Sequence, residues 1–221
     1  MRRVGAVAVV AAGCAALLAR PWLVRLPVDP VVVLVVLFVV LGVVGASWRL
    51  PAARVDGPGA GVGFGDDGAG NVRSGADVPA ADSAAADTGA ADDDEARSPL
   101  PAWLALAIGL GAFGAGRLLA AGSAPVAPFV VRSVALNSLA AVSEEAFFRR
   151  FAYGLAAVRG PVMAVVTSAV VFAAVHVTVW GWAVLPLDLA AGLVLGWQRW
   201  ACGRWSVPAA THVAANVLAV L

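Results

Sequence analysis

Apolar residues along this chain come in long uncharged runs, not in the alternation of a half-buried strand or the single stripe of a soluble helix. Two runs lie near the N-terminus, at residues 4–19 and 31–48. The second holds no charge and is dense in valine and leucine, and as a helix it matches a hydrocarbon core of roughly 30 Å. After residue 98 the runs resume over 101–121, 132–158, 161–182, 186–198 and 206–221. The pattern predicts an all-α fold, a polytopic transmembrane bundle of about seven helices with one long disordered loop. Pro161 and Pro186 suit first-turn positions. Asp188 then falls in the opening turn of its helix, where the dipole favours an anion, and reads as an interfacial cap.

The first run follows Arg2 and Arg3 and has the form of either a signal peptide or a membrane helix. No Ala-x-Ala site follows it at a polar boundary, and the residues before Cys14 only faintly resemble a lipoprotein processing site. A retained helix is expected. Residues 49–98 differ in kind: Gly, Ala, Asp and Pro dominate, and ten of the fourteen acidic residues fall there, among them Asp92, Asp93, Asp94 and Glu95. Such a segment cannot bury a core and reads as a solvated, disordered linker. The expected organisation is two N-terminal membrane helices over 1–48, the linker over 49–98 and a membrane core over 99–221.

Composition agrees with the bilayer as solvent: 61% of residues are hydrophobic and mean hydropathy is +0.88. A net charge of +1 offers no basic stripe for nucleic acid. All fifteen basic residues are arginine. With the N-terminus in the cytoplasm, eleven arginines, from Arg2 and Arg3 to Arg199 and Arg204, fall inside, and only Arg20, Arg25, Arg117 and Arg132 outside. That agrees with the positive-inside rule and makes the linker cytoplasmic in a multi-pass cell-membrane protein. Cys14 and Cys202 lie far apart with no CxxC spacing, and packing roles are expected for both.

Outside the linker only Asp29, Glu144, Glu145 and Asp188 are acidic. Asp29 and Asp188 sit at predicted helix starts, but the glutamate pair falls about 18 Å from one end of the 132–158 run and about 21 Å from the other. An unpaired carboxylate at that depth costs roughly 2.5 kcal/mol or more. Glu145 precedes Arg149 by four residues, the favourable order for an ion pair on one helix face. Glu144 is left over. A sheltered carboxylate is suited to general-base work; the alternative is a buried Glu-Arg clamp with Glu144 a spectator.

The chain's two histidines, His176 and His212, both fall inside predicted membrane helices at depths comparable to Glu144, where an imidazole needs partners. Asn216 follows His212 by four and shares its face. Two chemistries fit this set. In the favoured one, Glu144 and His176 hold and deprotonate a water while His212 and Asn216 donate to the developing oxyanion. In the other, His176, His212 and Glu144 bind a divalent metal such as zinc. There is no HExxH segment, and the metal stays open.

Glu144-Glu145-Ala146-Phe147-Phe148-Arg149, Phe172-Ala173-Ala174-Val175-His176 and His212-Val213-Ala214-Ala215-Asn216, in that order on successive helices, resemble the three motifs of the CPBP family, the type II CAAX prenyl endopeptidases and bacteriocin-processing Abi proteins. Gly192-Leu193-Val194-Leu195-Gly196-Trp197 also resembles that family's approach to its last helix. The resemblance implies an intramembrane endopeptidase in which Glu144 activates water, Glu145 and Arg149 support it, His176 is a catalytic or ligand histidine, and His212 with Asn216 stabilises the oxyanion. The implied substrate is a membrane-associated or lipidated, CAAX-type protein or peptide. Two other classes compete: a non-catalytic membrane scaffold or immunity protein, which needs no intact base, and an ion or proton translocator, for which no paired repeats are visible.

Overall fold

The computed structural model describes residues 2–47, 100–119 and 130–220, and every regular element among them is helical. The expectation of a disordered 49–98 linker lies outside the described residues. Helix α1 covers Arg2–Leu18, and a single turn, α2, follows over Arg20–Leu23 with Pro21 in its opening positions. Helix α3 is Pro30–Ser47, α4 is Ala102–Leu119 and α5 is Val130–Glu145. The α7 helix, Pro161–Trp180, forms a hairpin with α8, Leu185–Cys202, and α9, Ser206–Val220, ends the described chain. Between α5 and α7 the chain does not stay regular. A π-helical segment, Ala146–Ala152, leads to a turn of α-helix, α6 (Tyr153–Ala156), and a 3₁₀ turn, Ala157–Arg159.

That break corrects the continuous helix expected over 132–158. A π turn is wider than an α turn and brings more consecutive residues inward. Here Ala146, Phe147, Phe148 and Arg149 are all buried in succession, and Phe151 follows them. Phe147 packs edge-on against both Phe148 and Phe151, and the cluster continues to Phe38 and Leu41 of α3, Leu17 of α1 and Phe172 of α7. Gly45 on α3 backs directly onto the π segment: a Cβ there would lie 2.5 Å from the Ala146 carbonyl group, so any side chain would push the two elements apart.

Two helices, α3 and α7, are long and apolar enough to cross a membrane by length and composition, and α1 and α4 are shorter apolar helices. The outward side of α3 is a row of exposed valines, including Val32, Val36, Val40 and Val43, while Phe38, Leu41 and Gly45 point inward. A helix apolar on every side seeks protein on one face and lipid on the other. The α8 helix extends to Cys202, past the expected 186–198, and packs on α7 through Gly192, whose added Cβ would lie 2.9 Å from Ala169 Cα. The small residue lets two backbones approach.

Candidate active site

Glu145 is fully buried, and its Oε1 takes two donors: Arg149 at 3.1 Å, from one turn further along, and His212 Nδ1 at 3.0 Å, from α9. Arg149, also fully buried, donates its other terminal nitrogen to the Gly192 carbonyl on α8 at 3.2 Å and stacks 4.5 Å above the Phe172 ring. The expected Glu145-Arg149 pair is therefore present, and it ties α5, α8 and α9 together. Because a carboxylate only accepts, His212 carries hydrogen on Nδ1, and any hydrogen bond it offers elsewhere must come from Nε2.

Glu144, one residue earlier, points away from that core. Its two oxygens face different partners: Oε2 lies 3.8 Å from His176 Nε2, and Oε1 lies 3.9 Å from an Arg20 terminal nitrogen. Both contacts exceed hydrogen-bond length. His176 Nδ1 bonds the Phe172 carbonyl at 2.8 Å, one turn back on α7, so that nitrogen carries the hydrogen and Nε2 presents its lone pair toward Glu144. Two acceptors facing each other at 3.8 Å call for a hydrogen between them.

Asp188 belongs to the same group, which corrects its reading as an interfacial cap. Its Oδ2 lies 3.9 Å from His176 Nδ1 and is buried with no hydrogen-bond partner among the described residues. The hairpin explains how it gets there. His176 lies four residues from the end of α7, about 6 Å of helix rise, and Asp188 lies in the first turn of α8, across the short Trp182–Val184 turn. The site therefore sits near one end of α7, not at its middle as expected.

Phe172 is the shared floor. Its ring lies 4.6 Å from the His176 ring and 5.7 Å from the His212 ring, centroid to centroid, so both imidazoles converge on it. Asn216, one turn beyond His212, donates to the Asn137 carbonyl of α5 at 3.2 Å. That bond joins α9 to α5 and uses one of the two amide hydrogens. Arg20 and Asp188 are the members that sequence reasoning missed. Among the described residues, no three His, Cys, Asp or Glu side chains are grouped to hold one metal ion. The suggested set of His176, His212 and Glu144 is thus not a preformed cage, since His212 Nδ1 is bonded to Glu145.

A helical protein that brings a sheltered carboxylate and two imidazoles onto one aromatic ring has the parts of a hydrolytic site. Residues 126–218 match the family described as type II CAAX prenyl endopeptidase, Rce1-like, and all three motifs lie within that stretch. Through this domain the chain belongs to the CPBP family, a family of CAAX-type endopeptidases. No curated protein and no solved structure matches the chain.

Proposed function

We propose that the protein is an intramembrane endopeptidase that hydrolyses a peptide bond of a membrane-associated or lipidated protein through water activated by Glu144 and His176. The observation that carries this reading is the facing of Glu144 Oε2 and His176 Nε2 at 3.8 Å. A water about 2.8 Å from both atoms would subtend about 85° between them, and could give one hydrogen to each acceptor. Its lone pairs would then point away from both, toward a substrate carbonyl. Glu144 takes the proton as the oxygen attacks and returns it to the departing amine. His212, held through Nδ1 by Glu145, offers Nε2 to the oxyanion, with the second amide hydrogen of Asn216 on the same face of α9.

Membrane placement is supported by tryptophans as well as by α3 and α7. Trp180 and Trp182 flank the α7–α8 turn and Trp22 lies in α2, all exposed, while exposed Trp103 and Trp200 lie at the opposite ends of their hairpins. Two such belts mark the two interfaces of a bilayer crossed by several helices. The site then lies about one and a half helical turns below the belt at Trp180, where water can reach it.

The test is Glu144→Gln, which keeps shape and removes the base. Purified folded variant should lose cleavage of a membrane peptide by about 10²-fold or more. Turnover equal to that of the parent protein would refute the mechanism.

A further inference from the structure

Arg20 stands at the start of α2, well before residues 126–218, so the family match assigns it nothing. Its guanidinium nevertheless reaches the site, 3.9 Å from Glu144 Oε1 and 5.9 Å above the centre of the Phe38 ring, with the side chain only 16% exposed. The two arginines beside the glutamate pair differ in what their donors do. Arg149 commits its terminal nitrogens to Glu145 and the Gly192 carbonyl. Arg20 has no hydrogen-bond acceptor among the described residues, since its contact with Glu144 is an ion pair beyond N–H···O length. A guanidinium carries five donors, and here they stand beside the general base.

We propose that Arg20 is a catalytic residue of the hydrolysis assigned above, on which this inference rests: it donates to the scissile carbonyl oxygen as that oxygen becomes an oxyanion. Glu144 sets the geometry. One of its oxygens faces His176, where the water is held, and the other faces Arg20. A carbonyl carbon about 3 Å from that water places its own oxygen within reach of the guanidinium. In the step, the water oxygen bonds the carbonyl carbon, the π pair moves to the carbonyl oxygen beside Arg20, and the water proton passes to Glu144. The pair then returns, the C–N bond breaks, and the amine leaves with the Glu144 proton. Anchoring a substrate's terminal carboxylate is the other use of such an arginine, but distance argues against it. A carboxylate even two residues past the scissile bond lies roughly 7 Å from the water in an extended chain, whereas Arg20 is beside the base itself.

The experiment compares Arg20→Gln and Arg20→Lys with the parent chain in phospholipid nanodiscs, using a membrane-inserted peptide and a peptide aldehyde whose hydrate mimics the tetrahedral species. Arg20→Gln is expected to lower kcat by about 10²-fold to 10³-fold, with KM within about twofold and the melting temperature held. Aldehyde affinity should fall with kcat while affinity for an uncleavable peptide stays, and Arg20→Lys should recover part of the loss. Parental kcat in Arg20→Gln, a rise in KM alone, or a lower melting temperature with parental kcat in the folded fraction would each overturn the proposal. Should Arg20→Gln not fold, Arg20→Lys carries the same comparison: lower kcat at constant KM supports the role and parental kcat overturns it. Parental turnover in Glu144→Gln would instead remove the hydrolase reading, a result separable from any outcome at Arg20.

Discussion

His212 and Glu145 are joined at 3.0 Å, Nδ1 to Oε1, on the same carboxylate oxygen that receives Arg149. One buried oxygen thus fixes a catalytic imidazole and balances a buried guanidinium. Removing the guanidinium leaves Glu145 uncompensated, which typically costs about 3–5 kcal/mol. Arg149→Ala is therefore expected to lower the yield of folded protein, read as the monodisperse fraction by size-exclusion chromatography. Full yield with lost cleavage would contradict this division of labour.

Asp188→Asn tests the second carboxylate at His176. Unit charges about 4 Å apart attract by about 4 kcal/mol at an effective dielectric of 20. If a third of that attraction is used as His176 shares the water's proton, kcat falls about tenfold. The expected result is that loss at unchanged melting temperature, and undiminished kcat would return Asp188 to the role of a helix-start anion.

Gly192→Ala should destabilise the fold without touching the chemistry. The new methyl would meet the Ala169 backbone and displace the carbonyl that receives Arg149. Overpacking of this kind costs about 1–3 kcal/mol. A lower melting temperature is the expected readout, and a higher one would show that α7 and α8 have room to spare.

Single cysteines at the tryptophan belts, placed in a background lacking Cys14 and Cys202, test the membrane arrangement. Trp22→Cys and Trp182→Cys should react with an impermeant maleimide from one side of sealed vesicles, and Trp103→Cys and Trp200→Cys from the other. With a cytoplasmic N-terminus the first pair faces outward. Labelling of Trp22→Cys and Trp182→Cys from opposite sides would dismantle the bundle.

Metal dependence has a direct test as well. Exhaustive chelation followed by elemental analysis should leave cleavage intact in metal-free protein. Stoichiometric zinc whose removal abolishes cleavage and whose return restores it would replace the water-activation scheme.

Much of this was legible in the residues. Uncharged runs located the helices, and Glu144, Glu145, Arg149, His176 and His212 stood out as polar groups that apolar surroundings would not tolerate without partners. The structure brings those five together. Arg20 and Asp188 were hidden by position: a charge at a helix end has a ready local explanation, and spacing along a chain does not say which ends meet. The short α7–α8 connection was the available signal for Asp188, because it forces the first turn of one helix against the last turns of the other. The π segment was hidden for a different reason. No residue in Ala146–Ala152 forbids an α-helix, and the wider turn is stabilised by what surrounds it, with Gly45 behind and three phenylalanines around.

That wider turn also divides the chain into two independently adjustable halves. It holds one residue more than an ordinary turn, so deleting one position within Ala146–Ala152 would let the usual ladder close. Everything downstream, beginning with Tyr153, would swing by about 100° while Glu144 and Glu145 stayed where they are. The segment acts as a phase shifter between the reacting pair and the rest of its helix, and a single-residue deletion series is the natural way to read its setting.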